Sequence, residues 1–331
     1  MKKVRFAIVG TNRIVDQFIE AGQQDARFEL GAIYSRTEEK GKAFGAKYGV
    51  EVVFTSLEAL AQAKVVDAVY IASPNACHAK QAIYLMTQGL HVICEKPLAS
   101  NLKEVEAMID AAKTHGVTFM EAMIPTTLPN YHVIKEHLHK LGTLRHYFGT
   151  LCKYSSRYDA YKAGDVLNAF KPELSNGALV DIGVYTIAPM IGLFGAPKQL
   201  KASGYLLESG VDGSGTITFD YQGMLATVMY SKITTSSLGA EIQGENGSLH
   251  LDTIQRPKHV TIKYRDGREE VLSVPQSDVI MSYEIAEFIE AILTHQQEAV
   301  SNTWEMSLQT MAILDEARRQ IGLVYPADHD E

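Results

Sequence analysis

The chain has 331 residues, 46% of them hydrophobic and 21% charged, which predicts two globular domains with sizeable cores and excludes a disordered chain. Its 39 Asp and Glu against 31 Lys and Arg leave a formal charge of −8, arguing against a nucleic-acid partner or attraction to anionic membranes. Cys77, Cys94 and Cys152 make no CxxC pair, so neither a disulfide framework nor a thiolate metal site is expected. The apolar run after Lys2-Lys3 is too short for an export signal, so a cytoplasmic protein is expected.

Over the first 120 residues, β-rich apolar runs at 4–9, 28–34, 68–71, 92–94 and 117–120 alternate with helical patterns at 14–21, 38–48, 76–88 and 102–115. Alternation with short loops predicts right-handed βαβ units, and so a doubly wound, Rossmann-type α/β parallel sheet with helices on both faces. Thr37 before Glu38-Glu39 and Ser100-Asn101 before Lys103-Glu104 mark helix starts, while Gly89 and Gly116 suit left-handed helix ends.

Beyond about residue 125 the texture changes: a helix at 129–140, a strand at 144–153, a Tyr-rich irregular stretch to 175, then an apolar helix after Gly177. Asp181 and Pro189 inside that helix favour a buried core element over a membrane span. Strands follow at 216–220, 225–230, 240–243, 248–251, 260–264 and 271–274, with hairpin signals at Glu245-Asn246-Gly247 and Asp266-Gly267. Helices at 279–296 and 304–321 close an α+β second half with a mainly antiparallel sheet, giving domains 1–123 and 124–331. Met224, Ala226, Val228 and Tyr230 alternate along one strand, which predicts that this sheet face meets another protein surface.

The first strand ends in Gly10-Thr11-Asn12-Arg13-Ile14-Val15, where a dinucleotide fingerprint would read G-x-G-x-x-G/A. Only Gly10 of the three glycines is present, but the position, opening the first βαβ unit at a helix N-terminus, suits a pyrophosphate. After the second strand, Ser35 and Arg36 stand where an acid would hold the ribose of NAD. A cation there suits a 2′-phosphate, so NADP(H) is favoured over NAD(H).

Asp181 and Tyr185 are four residues apart and share one face of a helix. Lys96 stands at the carboxyl end of a parallel strand, where open α/β sheets bind substrates. A tyrosine hydroxyl titrates near ~10 and is a poor base alone, but a neighbouring ammonium favours its phenolate. Tyr185 is therefore read as the acid/base for an alcohol proton, Lys96 as its electrostatic partner, and Asp181 as the group that orients Lys96 or a substrate hydroxyl. Arg157, Asn168 and Phe170 combine hydrogen-bonding and stacking groups suited to a polyhydroxy substrate. His132, His137, His139 and His146 form no recognisable ligand set and are read as solvated.

Three segments carry a wider likeness: Ala72-Ser73-Pro74-Asn75-Ala76-Cys77-His78, Glu95-Lys96-Pro97, and Asn176-Gly177-Ala178-Leu179-Val180-Asp181-Ile182-Gly183-Val184-Tyr185. Together they resemble the glucose–fructose oxidoreductase, inositol dehydrogenase and MocA (Gfo/Idh/MocA) family. Met120-Glu121-Ala122-Met123 and Tyr185 look most like its branch of dimeric dihydrodiol dehydrogenases and NADP-linked xylose dehydrogenases. Asn12, Val15 and Asn176 depart from the family pattern.

The resemblance implies that Pro74 and Asn75 border the nicotinamide ribose, with His78 nearby, and that Ser73, Glu95 and Lys96 complete the cofactor contacts. It also implies that the region of Arg157, Asn168 and Phe170 rims the substrate pocket, and that the second sheet forms a homodimer or a dimer of dimers. The function implied is an NAD(P)-dependent oxidoreductase acting on a secondary alcohol of a sugar, polyol or cyclic diol. The alternative is a dinucleotide-sensing regulatory protein on the same fold, without turnover.

Overall fold

In the first half, runs of Val, Ile, Phe and Ala too apolar for a half-solvated sheet form β1 (Val4–Val9), β2 (Phe28–Tyr34), β4 (Ala68–Ile71), β5 (His91–Glu95) and β6 (Phe119–Ala122), with β3 (Val53–Phe54) at the edge. The computed structural model, which describes residues 2–329, orders them β3-β2-β1-β4-β5-β6, every pair parallel. Strand order reverses beside β1, the position at which doubly wound sheets take their ligands. The sequence reading missed β3 because two half-buried residues leave no periodicity; pairing of Val53 with Ile33 and Phe54 with Tyr34 makes it a strand.

The chain divides into two units, Met1–Ile124 with Ser277–Ser307, and Pro125–Gln276 with Leu308–Glu331. The late segment therefore belongs with the first sheet. Its helix Met281–Leu293 buries Phe288 against Phe6 at a ring separation of 6.0 Å. Arg27 bonds both Asp25 and Glu290, and the Thr118 hydroxyl donates to the Gln296 carbonyl at 2.8 Å. An amphipathic helix must cover some apolar face, but its periodicity does not say which sheet supplies it. A boundary drawn along the chain cannot find this return.

The second unit holds β7 (Leu144–Cys152), β8 (Gln199–Leu206), β9 (Asp212–Tyr221), β10 (Met224–Ser231), β11 (Ala240–Gly244), β12 (Gly247–Leu251), β13 (Val260–Tyr264) and β14 (Glu269–Val271). They form one sheet in the order β14-β13-β12-β11-β7-β10-β9-β8. All pairs are antiparallel except the central β7 and β10. That parallel pair needs a long crossover, and the helix Val184–Phe194 lies within it. The Asp266-Gly267 turn, with Gly267 at φ +87°, opposes Val271 to Thr261, so β14 ends where the sequence pattern began it.

Met224, Ala226, Val228 and Tyr230 are all buried within the chain's own core, and a Cβ on Gly183 would lie 3.1 Å from the Tyr230 ring. Those four residues therefore face the chain's own helix rather than a partner. The opposite face carries Leu225, 55% exposed, beside Thr227 and Met229, which pair across the ladder with His146, Phe148 and Thr150. The stretch Pro172–Phe194 is long and apolar enough to cross a membrane, but two-thirds of its apolar window is buried inside the protein.

Candidate active site

The nucleotide end of the first unit is built around Gly10. Its φ of +123° and the 2.8 Å that would separate an added Cβ from the Ala72 carbonyl oxygen leave room for glycine only. Asn12 then caps the helix Arg13–Gly22, accepting from the Val15 N–H at 3.4 Å while its amide donates to Ala72 at 2.9 Å. Its backbone is extended at φ −95°, so asparagine serves here as a cap and a tie, not as a substitute for left-handed glycine. Val15, at the third fingerprint position, is fully buried beneath the turn. Thr11, Asn12 and Arg13 stay exposed and Ile14 half-buried, leaving the positive end of a ten-residue helix open to an anion. Asp16 in the same turn accepts from the Tyr48 hydroxyl at 2.5 Å and pairs with the Lys47 ammonium at 3.4 Å, which offsets part of its charge. These features fit a dinucleotide phosphate.

At the end of β2, Arg36 is exposed and Ser35 is buried beside Gly41. Among the two, only Arg36 is open to a ligand. After β4, Pro74 is exposed and Asn75 half-buried, and the Ser73 hydroxyl donates to Gln81 at 2.7 Å. His78 is 1% exposed, with Nε2 2.9 Å from the Ser73 carbonyl and Nδ1 3.0 Å from the Pro97 carbonyl. Burial pushes its pKa down, against the pull of those carbonyls. His78 thus lies between the loop after β4 and the loop after β5, with both ring nitrogens turned to backbone carbonyls.

Lys96 is half-buried at the mouth of β5, its bond to Pro97 cis. Glu95 is buried and accepts from the Tyr70 hydroxyl at 2.6 Å, so it supports the strand end from below. Glu121 on β6 drew no role from the sequence beyond a family likeness. It is buried, accepts from the Ser307 hydroxyl at 2.7 Å, and has its pKa pushed up to about 7. Burial is the main cause, opposed by the bonds from Ser307 and the Leu98 amide, and the Lys96 charge also pulls it down.

In the second unit the site helix opens with a π turn, Leu179–Gly183, before the α-helix Val184–Phe194. Asp181 lies in the π turn and Tyr185 in the first α turn, both half-buried. The departure from α geometry thus comes before Tyr185. Asp212 holds the entry: its carboxylate accepts from the Ala178 and Leu179 amides at 2.9 and 2.8 Å. Burial raises its pKa to about 6 despite these bonds. Gly177, at φ +153°, is required there, since a Cβ would meet the Asp212 carboxylate.

The Asp181 carboxylate is bound by the ammonium of Lys232 at 2.7 Å, a residue the sequence reading did not single out. Nothing in a lone lysine after a strand signals such a role; the pairing is decided by the fold. Arg157 and Asn168 are exposed. Phe170 is not available to stack on a ligand. It is 0% exposed, in a cluster with Val180, Leu207, Val211, Leu323 and Tyr325. An aromatic flanked by polar loop residues looks like a ligand platform until the core beneath it is known. Among the described residues no group of three His, Cys, Asp or Glu is arranged to hold a metal.

Residues 4–123 match the family model of the Gfo/Idh/MocA oxidoreductase family, NAD-binding Rossmann fold, and residues 140–250 match that of the Gfo/Idh/MocA C-terminal domain. The chain is 54% identical over 325 residues to the scyllo-inositol 2-dehydrogenase (NADP(+)) IolU of Bacillus subtilis, covering 98% of this chain and 99% of that one. It is 30% identical to the trans-1,2-dihydrobenzene-1,2-diol dehydrogenase of Danio rerio, covering 91% of each. Among solved structures, the aldose-aldose oxidoreductase from Caulobacter crescentus shares the fold with a TM-score of 0.86 at 20% identity, over 96% of this chain and 97% of that one. The motifs at Ser73, Glu95 and Asp181, the two sheets that carry them and these likenesses agree: the chain belongs to the Gfo/Idh/MocA family of oxidoreductases.

Proposed function

We propose that this protein is an NADP(H)-dependent oxidoreductase that moves a hydride between the nicotinamide and a secondary alcohol, or the matching carbonyl, of a cyclic polyol or sugar. What carries the reading is the presence of Lys96 at the end of β5 in the first unit and of Asp181 and Tyr185 on the π and α turns of the second, each half-buried within its own unit. The inositol, diol and xylose dehydrogenases among its relatives support the same chemistry. When bound, the nicotinamide accepts or supplies the hydride.

This chain's own residues do the rest. The amides and helix end at Gly10, Thr11, Asn12, Arg13 and Ile14 receive the pyrophosphate. Arg36 meets the 2′-phosphate, which an acid in its place would repel. Ser73, Pro74 and Asn75 border the nicotinamide ribose, in loops held by His78 and Glu95. Tyr185 exchanges the proton of the reacting hydroxyl, Lys96 supplies the positive charge that favours the deprotonated oxygen, and Asp181 orients a substrate hydroxyl. Arg157 and Asn168 rim the substrate. The protein works as a homodimer through the outer face of the second sheet, and its three free cysteines suit the reducing cytoplasm.

The test is turnover. Purified protein is offered scyllo-inositol, D-xylose and a cyclic trans-diol with NADP+ or NAD+, and reduced nicotinamide is followed by absorbance. NADP+-linked oxidation of one or more of these alcohols is expected. NADPH binding without turnover of any alcohol or matching ketone overturns the enzyme reading in favour of a sensor.

A further inference from the structure

We propose that Lys232 is a positioning residue that fixes Asp181, and with it the turn carrying Asn168, in the geometry the reaction needs; the proposal rests on the role given to Asp181 above. Lys232 follows the last residue of β10. Its backbone is clamped on both sides, the amide donating to Gly213 at 2.9 Å and the carbonyl accepting from Ser155 at 2.8 Å. The side chain is 3% exposed, whereas that of Asp181, its partner, is 36% exposed. The ion pair is thus sunk at its lysine end and open at its carboxylate end.

The ammonium is held from three directions. It donates to the Asp181 Oδ2 at 2.7 Å and to the Ala169 carbonyl at 3.3 Å, and stands 5.4 Å from the centre of the Phe170 ring. Asp181 belongs to the π turn, while Ala169 and Phe170 belong to the short 3₁₀ turn Asn168–Phe170. One buried cation therefore joins the turn that presents the proposed orienting carboxylate to the turn that presents a proposed rim residue. A lysine sunk this deeply is expensive to leave unpaired, so the pair holds the Asp181 carboxylate in one orientation. The π turn closes its backbone bonds i→i+5, as the Val184 amide does to the Leu179 carbonyl, so Asp181 leaves the α register and Lys232 holds its carboxylate in that displaced position.

Four variants test the proposal: Lys232→Met, Lys232→Arg, Asp181→Asn and the double Lys232→Met/Asp181→Asn. Their kinetics are read with NADP+ and scyllo-inositol, NADPH affinity by fluorescence, and stability by thermal unfolding. Lys232→Met is expected to lower kcat/KM on the order of 10- to 100-fold, the range of a charge-assisted hydrogen bond, with NADPH affinity unchanged. Lys232→Arg, which keeps the cation, recovers part of the loss. The double variant is no worse than the poorer single one, because both changes break the same pair. Wild-type kcat/KM in Lys232→Met, or losses that multiply, overturns the proposal. Full activity in Asp181→Asn overturns instead the role of Asp181. Should the wild type turn over no alcohol, the same cycle read by thermal unfolding decides the pairing, and additive shifts defeat it.

Discussion

Tyr185 is the residue on which the proposed chemistry depends most directly. Replacing it with Phe keeps the ring and deletes the hydroxyl, so kcat is expected to fall ~10²- to 10⁴-fold while NADPH affinity holds. Single-turnover kinetics check this, and near-native turnover in both directions would move the acid/base role elsewhere. Arg36 is exposed at the end of β2, so a 2′-phosphate can reach it without displacing another contact of the core. Arg36→Ala is expected to weaken NADPH by ~1.5–3 kcal/mol and leave NADH unchanged, as read by fluorescence titration. Equal losses for both cofactors would remove Arg36 as the discriminating group. Other residue roles were less legible. A histidine in a motif and an aromatic in a polar loop both read as ligand contacts, yet His78 lies between two loops and Phe170 fills a core.

At the scale of elements, β6 shows how a strand and a distant helix share one buried group. Glu121 on β6 accepts from Ser307 in the helix Trp304–Ile321, and its pKa of about 7 compares with an ordinary 4.5. Between those values the folded chain holds a proton that the unfolded chain has released. The stability this group contributes is therefore complete at pH below 4.5 and is lost as pH rises through about 7. The slope for one such proton reaches at most ~1.4 kcal/mol per pH unit. Glu121→Gln is expected to flatten the pH dependence of unfolding free energy across that window, measured by urea titration. An unchanged slope would show that Glu121 is ionised in the fold. The site helix gives the complementary lesson. Its apolar run and the Asp181–Tyr185 spacing are plain in the sequence, but the π turn that carries Asp181 depends on Asp212 gripping its first amides from β9.

For the whole molecule, the outer face of the eight-stranded sheet is the surface that bears on assembly. Leu225 is exposed at the start of β10, and half-buried Phe148 and Met229 lie further along the same face. A homodimer through this face is expected, with light scattering at micromolar concentration giving twice the chain mass. Leu225→Glu, which sets like charges opposite each other across a two-fold axis, should shift it towards monomer. A monomeric wild type would refute the assembly.

Taken by itself, the sequence determined the parallel Rossmann-type sheet and the mainly antiparallel second sheet, and it singled out the turn at Gly10 and the residues Lys96, Asp181 and Tyr185 on which the proposed function rests. These rest on local period, turn chemistry and short motifs, which are written in contiguous residues. Tertiary structure alone decided that Ser277–Ser307 returns to the first sheet, that Met224, Ala226, Val228 and Tyr230 point inward, and that Lys232 holds Asp181. Each of these is a choice of partner between segments far apart in the chain. Periodicity shows that a face or a charge must be covered, but only packing determines by what.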